Sequence, residues 1–178
     1  MEENRFYHSE NLELKLVVEL GAQTHIHATK VLRLKVGDQF ALFNGDGFDY
    51  VVKVIEISKH KTSVEIINKY EVNHESPLKI TLAQGIAAGD KMDWVIQKTT
   101  ELGVQTIVPI QSRHSLVQPK ADRIGAQVAR WQRIALEAAQ QSEQWRVPAI
   151  AQPQSLQSLL SSRGTDTLTL MLTERRDG

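Results

Sequence analysis

The chain has 178 residues, 41% apolar and 24% charged, with 21 basic residues balancing 21 acidic ones and no cysteine. That length holds one large or two small domains, and the missing cysteine excludes disulfides and thiolate metal sites and fits a cytoplasmic location. No stretch approaches the roughly 18 apolar residues that a membrane span requires, and zero net charge does not by itself force a nucleic-acid partner.

The start, MEENRFYHSENLELKL, has no apolar run behind basic charge, so no secretory signal is expected. QTHIHATKVLRL is compatible with one short helix, and KVGD at 35–38 reads as a turn. In QFALFNGDGFDYVVKVIEIS, two runs rich in Val, Ile, Phe and Tyr flank NGDG. Asn and Gly there are expected to supply the positive φ of a tight hairpin. SKHK at 58–61 is a polar break, and TSVEIINKYEV then alternates with period two. Several short strands with few residues to spare predict a small β-barrel over residues 1–73.

NHESP at 73–77 reads as a linker, and beyond it the pattern changes. LKITLAQGIA is a strand of the buried type, and Asp90 is placed to cap the next helix through its side-chain oxygen. In that helix Met92, Val95, Ile96, Thr99 and Leu102 share one face, which predicts packing on a core. Gly103 fits a left-handed C-cap. VQTIVPI is the next strand and SRHSLVQPK a loop. A long helix is expected from about Ala121 to Glu143, with the stripe Ile124, Val128, Trp131, Ala135 and Ala138. VPAIA reads as a short strand, SLQSLL as a short helix and DTLTLML as a further buried strand. Such alternation predicts a parallel α/β sheet over residues 77–178.

Several groups carry candidate chemistry. Lys91, Trp94, Lys98 and Glu101 recur at steps of three and four, so they stack along a second side of the first helix. This seam is either a polyanion platform, with lysines on phosphates and the indole free to stack, or a Trp packed under a neighbour with solvated lysines. Arg113 and His114 follow the carboxyl end of a strand, where ligands collect in open parallel sheets. Glu137, Gln140 and Gln141 flank the stripe of the long helix and otherwise read as solvated surface. His25 and His27 would point apart on a helix, so no metal site is expected. Gly85 and Gly89 are too little for a phosphate-binding fingerprint.

Taken together, KMDWVIQKTTELGVQTIVPIQSRHSL followed by WQRIALEAAQQSEQWRVPAI resembles the bacterial small-subunit (16S) ribosomal RNA uridine-N3 methyltransferases. Those enzymes belong to the SPOUT class, whose catalytic domain closes in a trefoil knot. RFYH at 5–8, HATKVLRLKVGD at 27–38 and LFNGDG at 42–47 are similar to that family's N-terminal PUA-like barrel. The likeness runs over essentially the whole chain. The family's Gly-Pro-Glu-Gly-Gly loop and Leu-Arg-x-Glu-Thr-Ala segment, which build most of the cofactor pocket and the knot, do not occur in these 178 residues.

The resemblance implies an α+β barrel followed by the amino-terminal portion of a SPOUT parallel sheet, acting as a homodimer on 16S ribosomal RNA or the small ribosomal subunit. S-adenosyl-L-methionine is the implied cofactor, and uridine N3 would attack its sulfonium methyl after the base is unpaired and its proton lost. On this reading Glu101 would take or orient a proton, and Arg113 would hold phosphate or the uridine anion. Met171, Leu172, Thr173 and Glu174 would border the cofactor. Arg5, Lys30, Arg33, Lys91, Lys98 and Arg146 would meet RNA phosphates. Two other readings stand beside it: a non-catalytic RNA-binding module, and a small α/β enzyme acting on free nucleotides.

Overall fold

Two sheets of opposite character follow one another along the chain. The computed structural model describes residues 4–72, 76–112, 123–162 and 164–172. In the amino-terminal half, strands β1 (Arg5–Tyr7), β2 (Val17–Glu19), β3 (Gln39–Phe43), β4 (Phe48–Ile57) and β5 (Thr62–Glu71) form one sheet in the order β1-β3-β4-β5-β2. β1 runs parallel to β3, and the other pairs are antiparallel. Register shifts between Val51 and Val52 and between Val54 and Glu56 add local twist. The sheet folds around Phe6, Phe40, Leu42, Val52, Val54 and Ile66, joined by Leu12, Leu20 and Ala28 from the connections. The expected barrel is thus a sheet around one apolar core, with β1 and β2 at its two edges.

Local chemistry explains the turns. At NGDG the positive φ comes from Gly45 (93°) and Gly47 (95°), not from Asn44. Asn44 and Asp46 act through their side chains instead. Asp46 N–H donates to Asn44 Oδ1 at 3.1 Å, and Phe48 N–H donates to Asp46 Oδ1 at 3.0 Å. The predicted short helix splits into α1 (Ala22–Ile26) and a π-helical turn, His27–Val31. His25 is buried on Thr62 Oγ1 at 2.8 Å, while His27 lies edge-on to Phe6.

The second sheet is parallel, in the order β6 (Thr81–Gly85), β7 (Thr106–Ile110), β8 (Ala149–Ile150). Helix α2 (Lys91–Glu101) links β6 to β7, α3 (Ile124–Gln141) lies between β7 and β8, and α4 (Leu156–Ser162) follows. Pro109 lacks an N–H, and the β8 ladder stops short of it at the Ile107–Ile150 pair. The core is Ile86, Met92, Ile96, Ile107, Trp131, Ala135 and Ile150. Ala135 and Ala139 are fully covered, and such small residues let α3 approach its neighbours closely.

Three local expectations are corrected. Asp90 makes no side-chain cap on α2; its backbone carbonyl accepts from Trp94 N–H at 3.0 Å. Leu102 is 79% exposed, because it follows the last helical turn, and Thr100 takes the buried place. DTLTLML forms no strand over 166–172, and Leu168, Leu170, Met171 and Leu172 face solvent. A parallel strand is held by ladders on covered faces, and this segment joins none of the three described strands. The stop of α2 is as expected: Gly103 has φ 81°, its N–H donates to Thr100 O, and Val104 N–H donates to Thr99 O. Those two bonds are a Schellman cap.

Candidate functional site

The direction of the helices decides which candidates can meet. Strands β6 and β7 run side by side, so α2 must run back from their carboxyl ends to their amino ends. Lys91 therefore starts near the carboxyl edge, with Gly85 and Gln111, and Glu101 finishes at the amino edge, beside the start of β7. A five-residue strand separates the two edges by roughly 17 Å at about 3.3 Å per residue. Ligands of open parallel sheets collect at the carboxyl edge. Glu101 is accordingly set about one strand length from Ser112, the last described residue before Arg113. Glu101, expected at the end nearer the chemistry, lies at the amino edge of the sheet. Arg113, Thr173 and Glu174 lie outside the described residues.

The seam on α2 is not uniformly cationic. Trp94 is 62% exposed, so it is not packed on the sheet, and Lys91 is exposed. Lys98 Nζ, however, donates to both carboxylate oxygens of Glu101 at 2.9 and 2.8 Å. The lysine expected on phosphate and the carboxylate expected on a proton are thus paired with each other. Beside Trp94, a groove of about 560 Å³ between α2 and α3 is lined by Asp90, Asp93, Arg130, Arg133 and Glu137. Arg130 grips both oxygens of Asp93. With carboxylates outnumbering guanidiniums, this flank is a poor seat for a polyanion.

The amino edge is where the first sheet docks. Arg5 is not on the surface: its side chain is 6% exposed and that of Asp49 8%. Arg5 Nε donates to both Asp49 oxygens at 2.9 Å, and the guanidinium carbon lies 3.6 Å from the centre of the Phe43 ring. Its Nη1 donates to Gln144 O at 3.0 Å. Arg5 is therefore a clamp between the two halves rather than a phosphate contact. Tyr7 N–H donates to Gln140 Oε1 at 2.9 Å, so a glutamine read as solvated surface instead bridges the halves. Gln144 Nε2 in turn donates to Glu101 O at 3.0 Å, which ties the end of α2 to the same junction. Glu143 holds φ 57° just after α3, and Gln144 N–H closes that turn on Ala139 O. No periodicity marks Gln144, because its side chain and carbonyl find their partners on two distant elements, α2 and β1.

Around this junction lies a cleft of about 400 Å³, lined by Tyr7, Asn44, Gly45, Gln105, Thr106 and Arg146. Arg146 is exposed, and its guanidinium carbon lies 3.8 Å over the Trp145 ring. Below the NGDG turn, Tyr50 donates to Asp46 Oδ2 at 2.6 Å. Its phenol is pushed up to about 12, first by burial, then by that hydrogen bond and the nearby charges of Asp46 and Glu13. Lys30 and Arg33 are exposed on and just after the π-helical turn, with Arg33 at φ 53°. Met171 and Leu172 are exposed as well.

Residues 74–178 match a family model described as an RNA methyltransferase domain, and residues 27–67 match one described as an RNA methyltransferase PUA domain. The chain belongs to the RNA methyltransferase family. It is 37% identical over 140 residues to a ribosomal RNA small subunit methyltransferase E from Bacillus subtilis, covering 79% of this chain and 54% of that protein. Against the protein of the same name from Buchnera aphidicola (strain APS) the identity is 34%, over 85% of this chain and 60% of the relative. The chain thus spans little more than half the length of these curated relatives. Among solved structures, ribosomal RNA small subunit methyltransferase E from Neisseria gonorrhoeae, bound to S-adenosyl methionine, superposes with a TM-score of 0.86 at 34% identity. That match covers 92% of this chain and 67% of the other. The order of the fold, a PUA-type sheet followed by a parallel α/β sheet, is the family's order.

Proposed function

We propose that these residues form the RNA-gripping half and the first part of the catalytic sheet of an enzyme that methylates N3 of a uridine in small-subunit ribosomal RNA. S-adenosylmethionine is the methyl donor in this reading, and the complete enzyme is a homodimer. The observation that carries it is the agreement of sequence and fold, over both halves of the chain, with a protein solved with that cofactor bound. The described residues supply strand ends for such a pocket, at Gly85 and Gln111, but not its walls. The groove beside Trp94 begins at the carboxyl edge with Asp90 and Asp93, and neither cavity is lined by Gly85 or Gln111.

The chain's own part is to bind and orient RNA. Lys30, Arg33 and Arg146 present exposed cations around the docked first sheet, and Lys91 presents one at the carboxyl edge. Helix α2, about 15 Å long at 1.5 Å per residue, separates Lys91 from the end that meets the first sheet. Fixing the RNA at a distance aligns the reacting base without touching it.

The direct test is calorimetry with S-adenosylmethionine on the full-length protein and on the 178-residue form, with methylation of purified small ribosomal subunits read in parallel. The full-length protein is expected to bind and to modify a uridine at N3, and the short form to bind the donor far more weakly. A full-length protein that binds subunits but not the donor would favour the second reading, an RNA-binding module. One that methylates another position would sink the N3 assignment.

A further inference from the structure

From His27 to Val36 the chain carries three cations, Lys30, Arg33 and Lys35, and no carboxylate, within a first half where acidic residues outnumber basic ones. Inward and outward residues alternate there. Leu32 and Leu34 pack on the core of the first sheet, while Val31, Arg33 and Lys35 are exposed. We infer that this turn is a wedge for the open end of an RNA helix. Val31 covers the face of the last base pair, and the cations hold phosphates beside it. The inference rests on the RNA-binding part of the proposed function and adds a base contact to it.

Three observations carry it. First, the cations are available. Among the described residues none of the three side chains meets a carboxylate, whereas Arg5, Lys61, Lys98 and Arg130 each do. Second, the turn has an apolar tip among those charges: Val31 is 64% exposed and Val36 62%. Phosphates alone give valine nothing to pack on, but base faces do, and apolar side chains set against base steps hold them unstacked. Third, the tip is stiffly mounted. Leu32 N–H donates to His27 O at 3.0 Å, the wide bond of a π-helical turn, and Leu34 N–H donates to Ala28 O at 2.9 Å. Ala28 is buried in the core, and Arg33 is held at φ 53° between the two anchored leucines. A mount already ordered loses little freedom on binding.

The proposed reaction gives such a wedge a task. N3 lies on the Watson–Crick edge, so the uridine has to be unpaired before it reacts. A side chain that covers the neighbouring base pair stabilises the open helix end, and RNA is read where its bases are unstacked.

The test uses the full-length protein and purified small ribosomal subunits. Affinity is read by anisotropy of labelled protein across a KCl series, and unpaired adenines and cytosines by dimethyl sulfate at saturating protein. Lys30→Ala with Lys35→Ala should lower the slope of log affinity against log salt by about 1.4 to 1.8, the share of two phosphates. Val31→Ala should weaken binding roughly threefold to tenfold with the slope unchanged, since it removes apolar contact and no charge. Wild-type protein should expose bases that are protected in free subunits, and Val31→Ala should not. The thermal midpoint of the free Val31→Ala protein should hold, because the side chain is exposed. Wild-type affinity and base reactivity in Val31→Ala overturn the wedge and leave the RNA reading intact. Lost affinity with unchanged base reactivity assigns the turn to a ribosomal protein and overturns the wedge as well. Failure of the wild-type protein to bind subunits overturns both readings.

Discussion

Replacing Arg5 by alanine tests how the two halves are joined. The side chain is almost wholly buried, and so is its partner Asp49. Truncation would leave a carboxylate in the interior without its cation, which costs about 3–5 kcal/mol for a buried pair. It also removes the stack on Phe43 and the bond to Gln144 O. These losses share one side chain and do not simply add. A double-mutant cycle separates them: Arg5→Ala, Asp49→Ala, and the two together, each unfolded in urea and followed by circular dichroism. Each single change should cost at least about 3 kcal/mol, a large fraction of the 5–15 kcal/mol that holds a typical domain. The double change should cost clearly less than the sum, since no orphaned charge remains. In Arg5→Ala the transition should also broaden or split as the first sheet loses its tie to α3. Single changes that each cost under about 0.5 kcal/mol, or that add without coupling, would show a solvated pair and refute the clamp.

Two further outcomes follow from local geometry. Tyr50 stays protonated in the folded chain up to about 12, whereas an unfolded tyrosine ionises near 10. Stability from this group is therefore complete below about pH 10 and is lost as pH rises through 12, by up to about 3 kcal/mol. Tyr50→Phe should flatten that part of the pH–stability curve, and an unchanged slope above pH 10 would count against the buried phenol. Arg33 holds a left-handed conformation that costs a non-glycine residue about 1–2 kcal/mol. Arg33→Gly should relieve that cost and raise the urea midpoint while weakening binding to small ribosomal subunits. A variant that gains stability with no loss of binding would mean the strained arginine does not contact RNA.

The sequence carried the architecture where local chemistry dictates it. Alternation and the NGDG turn marked β3, β4 and β5, and period 3.6 marked α2 and α3, because those signals repeat within a few residues. Gly103 announced the end of α2 because a left-handed cap strongly favours glycine. What stayed hidden is long-range. β1 pairs in parallel with β3 across more than thirty residues of chain, and three-residue strands carry no period. Arg5 read as a surface cation because nothing near it in the chain announces Asp49 or Gln144. DTLTLML has the composition of a strand, but a strand also needs a neighbour to pair with.

Chain direction is the most consequential thing that residue types alone conceal. Lys91, Trp94, Lys98 and Glu101 look alike as members of one seam, yet they span the height of the sheet. Parallel pairing of β6 with β7 requires α2 to return against the strands, so the seam begins at the carboxyl edge and ends at the docked first sheet. Its cationic start faces the edge where ligands of such sheets collect. Its end is neutralised within the protein, Lys98 by Glu101, and is fastened by Gln144. The Glu101 carboxylate is occupied by Lys98, and it is the backbone carbonyl of Glu101 that joins the end of α2 to the junction between the halves. The two ends of one seam are thus set roughly 17 Å apart by the strand length, at opposite edges of the sheet.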